Sequence, residues 1–142
     1  MLPHLVLEDK IPYCDHFKWK EVLLCPQWGV HIYPTDEIAI NLALVASKLD
    51  WIRKHFGRPI KITSAIRPLK YNRLIGGSKE SMHIKGRALD FQVAGYTADR
   101  VRQMLLPFLD RLDIRMENKP YSDWVHIDTK KPRLKTNRFF YP

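Results

Sequence analysis

His83 and Asp90 close the two ends of a short run, Ser81-Met82-His83-Ile84-Lys85-Gly86-Arg87-Ala88-Leu89-Asp90. An imidazole nitrogen and a carboxylate oxygen are ordinary zinc ligands, bound at about 2.0–2.2 Å. For both to reach one ion the chain must turn between them, and Gly86 permits the turn. His126, in Trp124-Val125-His126-Ile127-Asp128, supplies a third ligand. Two histidines and one carboxylate leave a fourth position for water, which distinguishes a catalytic zinc site from a closed structural one. The set is too hard for copper(I) and too nitrogen-rich for magnesium. Non-haem iron uses the same triad, so ligand types alone leave zinc and iron both open.

These residues need elements to hold them. From Thr35 the apolar positions Ile38, Leu42, Val45, Leu49, Ile52 and Phe56 step by four and three, the trace of one helical face. Thr35 or Asp36 can cap its first turn, Gly57 suits a left-handed C-cap, and Pro59 blocks continuation. Ile60 to Ala65 alternates as a short strand, followed by Arg67-Pro68 and a polar loop ending in Gly76-Gly77-Ser78. Arg87 to Ala94 reads as a second strand, with Leu89, Phe91 and Val93 toward the core and Ala88, Asp90 and Gln92 on the other face. Thr97 can cap a helix striped by Val101, Met104, Leu105, Phe108 and Leu112, which Pro107 should kink or split. Asp123 to Thr129 reads as a third strand, with Trp124, His126 and Asp128 on one side. Residues 1–34 read as irregular apart from a short helix around Trp19–Leu24, and the tail from Lys130 receives no element. Helices and strands mix without a βαβ rhythm, so the expected class is α+β, with helices packed on a small, mainly antiparallel sheet. A chain of 142 residues fits a single domain.

The pattern Ser-x-His-x-x-Gly-x-Ala-x-Asp at 81–90, followed by Trp-Val-His-Ile-Asp at 124–128, resembles the zinc D-Ala-D-Ala carboxypeptidases of the M15 type. Related branches include D-Ala-D-Ala dipeptidases and phage L-alanoyl-D-glutamate endolysins. Ile62 to Pro68 resembles the family's Ser-x-x-Arg segment, and Asn72 with Gly76-Gly77-Ser78 resembles its link to the histidine motif. The resemblance covers roughly residues 35–129 and implies a fold like that of the DD-peptidases and hedgehog signalling domains. It implies that His83, Asp90 and His126 hold Zn2+. It also implies that Asp123, three positions before the last histidine, is the general base, where Asp rather than Glu leans toward the endolysin-like branch. Arg67 matches the arginine that binds substrate or steadies the oxyanion. Ser81 either contacts substrate or closes the loop.

Those roles are chemically sufficient. Amide hydrolysis needs a nucleophile, a proton shuttle and a partner for the oxyanion. Bound zinc lowers the pKa of water to about 7 in favourable sites. A nearby carboxylate can take that proton and pass it to the leaving amine. A guanidinium can support the oxyanion or grip a peptide carboxylate with two parallel bonds. One geometric condition attaches to Asp123. Residues three apart on a regular strand face opposite ways, so Asp123 must precede the strand or sit at a bend, an entry that Lys119-Pro120 and Ser122 make reasonable. Asp128 either orients a metal histidine or sits as an edge carboxylate. Trp124 either packs or walls the substrate cleft.

The resemblance implies that the substrate is the stem peptide of bacterial peptidoglycan, cut by carboxypeptidase or endopeptidase action. The net charge of +9 and pI of about 9.7 suit a polyanionic setting. Charge alone leaves the cell wall and nucleic acid both open. The positive residues are scattered, with a modest cluster at Lys130, Lys131, Arg133 and Lys135, and no RNA-binding aromatic signature or Arg-rich arm accompanies them. No nucleic-acid partner is expected. The N-terminus lacks the pattern of a secretory signal, and no apolar run approaches about 18 residues. The expectation is a protein made in the cytoplasm and released to the wall by another agent, as a phage or prophage lysis enzyme would be. Cys14 and Cys25 read as free thiols, and with His16 they lack the fourth ligand and the compact spacing of a second metal site. His4, His16, His31 and His55 receive no catalytic role. The rival reading is a zinc-stabilised module that binds wall or virion components without cleaving, for which hedgehog domains are the precedent. A retained acid at Asp123 favours the enzyme.

Overall fold

The computed structural model describes residues 5–134 and 137–142. His4 and Lys135 lie outside the described residues. In chain order the elements are α1 (Trp19–Leu23), β1 (Leu24–Cys25), β2 (Val30–His31), α2 (Asp36–Phe56), β3 (Ile60–Ser64) and α3 (Leu69–Leu74). They continue with β4 (Ala88–Val93), α4 (Ala98–Leu105), a 3-10 turn (Leu106–Phe108), α5 (Leu109–Leu112), β5 (Arg115–Glu117), β6 (Val125–Asp128) and β7 (Phe139–Phe140). The class is α+β, as the sequence predicts.

Helix α2 follows its sequence signals closely. The Thr35 hydroxyl accepts from the Ile38 amide at 3.3 Å, and Gly57 ends the helix at φ 63 with its N–H donating to the Arg53 carbonyl. Its inward stripe, Leu42, Val45, Leu49 and Ile52, is fully buried, while Ile38 and Phe56 at the two ends are only partly covered. Thr97 caps α4 by accepting from the Arg100 amide. Pro107, with no N–H to give and a ring that crowds the preceding turn, breaks the second helical stretch into α4, a 3-10 turn and α5.

The main sheet runs β3-β4-β6-β5-β7, antiparallel throughout except for the parallel β5–β7 pair. Leu89, Phe91 and Val93 of β4 and Val125 and Ile127 of β6 are buried on one face in a core shared with α2 and α4. The period-2 geometry of strands then commits Asp90, Gln92, His126 and Asp128 to the opposite face. Helices thus brace one side of the sheet and the chemistry-bearing side chains stand on the other.

Four features depart from the sequence expectations. Residues 24–31 form a small antiparallel hairpin inside the stretch read as irregular. A six-residue helix, α3, occupies part of the segment read as loop. Strand β5 is not anticipated at all, and the tail supplies β7 beside it. Each of these elements is shorter than two helical turns or three residue pairs, too short for a hydrophobic period to show.

Candidate metal centre

Asp90 and His126 are direct partners in the β4–β6 ladder. Cross-strand partners share a face with Cβ atoms about 4.5–5.5 Å apart, and here the carboxylate meets the imidazole, His126 Nδ1 lying 2.8 Å from Asp90 Oδ1. His83 arrives from the loop before β4 and places Nε2 3.2 Å from the same oxygen. One ligand atom from each of the three residues lies within 4.8 Å of the others, a grouping able to hold a metal ion.

The outer nitrogens explain why these particular atoms face inward. His83 Nδ1 lies 2.8 Å from the carbonyl of Ala65, just beyond the end of β3. A carbonyl only accepts, so Nδ1 carries the hydrogen and the Nε2 lone pair is left for a metal. His126 Nε2 lies 2.9 Å from Asp128 Oδ2, and donation to that carboxylate leaves Nδ1 for the metal. Asp128 is fully buried. It is gripped in turn by Arg115, whose Nε and Nη2 each donate at 2.8 Å, and by the Lys130 amide at 3.2 Å. The Arg115 guanidinium stacks 3.7 Å from the Phe140 ring centroid. Of the two readings of Asp128, the geometry supports the one in which it orients His126. The donor set therefore suits a divalent cation of zinc type: two imidazole nitrogens with fixed tautomers and one carboxylate.

Charge and burial act against each other at this centre. Burial raises the Asp90 carboxyl, but the charge of His83 and the bonds to His126 and His83 outweigh it and hold the group well below the usual carboxylate range. Burial lowers the His126 imidazole, yet its bonds to Asp128 and Asp90 pull it up to about 9. Burial likewise raises Asp128, and the bonds from His126 and Arg115 bring it below its ordinary value. These interactions favour ionised carboxylates and a protonated His126, and a cation bound there would compete with that proton.

The loop carrying His83 is a series of tight turns, in which the amides of Ile84, Lys85 and Gly86 donate to the carbonyls of Ser81, Met82 and His83. Gly86 sits at φ 69, and a Cβ there would lie 2.8 Å from Ile38 Cγ2 and 2.9 Å from the Ile38 carbonyl. Only glycine lets the turn seat against α2. The Ser81 hydroxyl accepts from the His83 amide at 3.3 Å, which closes the loop. His83 is also bracketed by the chain leaving β3, since the Arg67 amide donates to the His83 carbonyl at 3.2 Å. A register shift between Ile62 and Ser64 bends β3 just before this segment.

Arg67, Asp90 and Trp124 line a cavity of about 250 Å³ together with residues of the β1–β2 hairpin and α3. Trp124 is therefore one wall of that cavity. Arg67 Nη1 donates to Asn72 Oδ1 at 3.2 Å, and the buried Asn72 amide donates onward to the Ser78 carbonyl at 2.8 Å. Asp123 precedes β6, as the geometric condition on it requires, after Tyr121 has taken the left-handed conformation at φ 68. Its exposed carboxylate has no hydrogen-bond or ion-pair partner among the described residues. It lines a second cavity, of about 650 Å³, with Lys61 and Gln92 rather than the one that reaches Asp90. Gln92 stands two residues along β4 from Asp90 on the same face, so the two cavities are neighbours on that side of the sheet.

Sequence reasoning did not find Ala65 or Arg115. Ala65 acts through its carbonyl, which residue type does not reveal, and Arg115 depends on strand register. Elsewhere, Cys14 and Cys25 are free and buried, and burial pushes the Cys14 thiol up to about 12. His16 pairs with Asp50.

A model of the peptidase M15 family matches residues 15–128, and the protein belongs to that family. The match takes in all three residues of the metal group and begins earlier than the motifs do, at the segment leading into α1. No curated protein matches the chain. Family membership and a buried group able to hold a metal are together consistent with a metallopeptidase.

Proposed function

We propose that the protein is a zinc-dependent peptidase that hydrolyses stem peptides of bacterial peptidoglycan, of the D-Ala-D-Ala carboxypeptidase or L-Ala-D-Glu endopeptidase type, and that it serves as a phage or prophage lysis enzyme acting at the wall. The observation that carries the metal-dependent part is the paired orientation of the two rings, in which Ala65 and Asp128 each occupy the outer nitrogen of a histidine and turn the inner nitrogen toward Asp90. The peptidoglycan substrate and the lysis role rest on the resemblance of the motifs and on the basic charge.

His83, Asp90 and His126 would hold Zn2+, which supplies an acidified water and a polarised scissile carbonyl when bound. Asp123 takes the proton of the attacking water and delivers it to the leaving amine. Arg67, steadied by Asn72, pairs with a substrate carboxylate or with the oxyanion. Ser81 holds the turn that presents His83 and borders the approach of the substrate. Trp124 packs against the peptide.

One observation favours a second reading, a zinc-stabilised wall-binding or virion module without activity: Asp123 lines the cavity beside Lys61 and not the one reaching Asp90. Peptide release from purified peptidoglycan, measured for wild type and Asp123→Ala with bound zinc counted in each, separates the two. Zinc in both and release by the wild type alone supports the peptidase, and the new chain ends name the bond. Zinc in both and release by neither, across carboxypeptidase and endopeptidase substrates, supports the binding module.

A further inference from the structure

Three consecutive carbonyls, those of Ser122, Asp123 and Trp124, lie just ahead of β6, beyond the last β4–β6 pair of Phe91 and Val125. Side chains take the place of the missing strand. Arg102 Nη1 donates to the Trp124 carbonyl at 2.9 Å, Arg102 Nη2 to the Ser122 carbonyl at 3.3 Å, and Gln92 Nε2 to the Asp123 carbonyl at 2.9 Å. Arg102 projects from α4 and is only 4% exposed. Burying a guanidinium is costly unless its donors are used. Here they are used on the Asp99 carboxylate, the Ser122 hydroxyl and the two carbonyls that flank Asp123. Asp99 also accepts from the Tyr121 amide, at the residue held at φ 68. The segment is thus irregular in backbone yet held at each carbonyl.

The Asp123 carboxylate itself has no partner among the described residues, so its backbone alone fixes where the side chain is rooted and which rotamers reach the site. We infer that Arg102 and Gln92 are positioning residues that aim Asp123 by clamping the carbonyls on either side of it and its own. The inference rests on the reading of Asp123 as the general base. Proton transfer needs hydrogen-bond reach, and a misplacement of about 1 Å can cost about 100-fold in rate. Two side chains from different elements, α4 and β4, meet on one segment and hold it at the end of the β4–β6 ladder. Gln92 also stands on the face of β4 that bears Asp90, which ties the base to the strand that carries a ligand.

The test is steady-state hydrolysis of soluble muropeptides by the zinc-loaded full chain, with zinc content measured for every variant. Gln92→Ala removes one clamp at an exposed position, and Arg102→Lys replaces a fork with a single ammonium. Each is expected to lower kcat by about 10- to 100-fold, with KM and zinc content unchanged. In an Asp123→Asn background neither should reduce the residual rate further, because the group being aimed is gone. Loss through general loosening of the fold would instead appear in both backgrounds and would overturn the inference. So would wild-type kcat in both single variants while Asp123→Asn is crippled. If Arg102→Lys does not fold, Gln92→Ala carries the comparison alone. Wild-type activity in Asp123→Asn would contradict the general-base reading itself, an outcome distinct from failure of the clamp.

Discussion

Asp128 Oδ2 sits 2.9 Å from His126 Nε2 while Arg115 holds both oxygens of the same carboxylate from the neighbouring strand. The Arg115–Asp128 register of β5 on β6 is therefore continuous with the centre: guanidinium to carboxylate to imidazole to Asp90. Removing the carboxylate should free the imidazole to rotate and to change tautomer. Asp128→Ala is expected to weaken zinc binding by about 10- to 100-fold, measured by competition against a chromogenic chelator. Affinity equal to wild type would mean that Asp128 balances the charge of Arg115 and does nothing for the metal.

The turn at Gly86 offers a steric test. A side chain there meets the Ile38 carbonyl and Cγ2 below 3 Å, at a φ of 69. The left-handed conformation alone costs a residue with a Cβ about 1–2 kcal/mol. Gly86→Ala should lose at least about 2 kcal/mol in urea denaturation and should also weaken metal binding, because the loop displaced from α2 is the one that carries His83. A loss of stability with unchanged metal affinity would show that the His83 loop adjusts independently of the helix.

Acid should expose the contribution of Asp50. This carboxylate of α2 is 2% exposed, accepts from the His16 amide at 2.9 Å, and lies 3.1 Å from His16 Nδ1 and 3.3 Å from Lys54 Nζ. Burial raises the group, but the bonds from the amides of Asp15 and His16 and from the side chains of His16 and Lys54 outweigh it and lower its pKa. A folded value below the unfolded one of about 3.9 means that the stabilisation is fully present above pH ~4 and is lost as pH falls through the folded value. Asp50→Asn should therefore cost about 1–2 kcal/mol at pH 7, and the gap to wild type should close as the pH is taken below about 4. A gap independent of pH would assign the loss to packing instead of charge.

What the sequence made legible follows from length and period. Helix α2 spans 21 residues, enough for the steps from Leu42 to Ile52 to define a face and for Thr35 and Gly57 to mark its ends. The alternation in β4 and β6 placed Asp90 and His126 opposite the core, and the motif joined them to His83 before any coordinates. The pairing of Asp90 with His126 follows in the sequence only from ligand chemistry and the family motif, because register is not written locally. Arg115 escaped notice for the same reason: it lies in a three-residue strand whose tie to Asp128 exists only once β5 and β6 are side by side. Arg102 carries no sequence signal of burial, and only the fold shows it buried against the Asp123 segment. The tail carries no period, yet it supplies Phe140, which stacks on Arg115 and meets the His126 ring edge-on.

The central claim is that the triad of His83, Asp90 and His126 makes peptide hydrolysis metal-dependent. It is tested most directly by following peptide release from purified peptidoglycan after the protein is stripped with a chelator and titrated with Zn2+. Release is expected to stop on stripping, to return in full at one equivalent of zinc per chain, and not to return in His126→Ala. Release that persists in the stripped protein, or returns equally in His126→Ala, would contradict it.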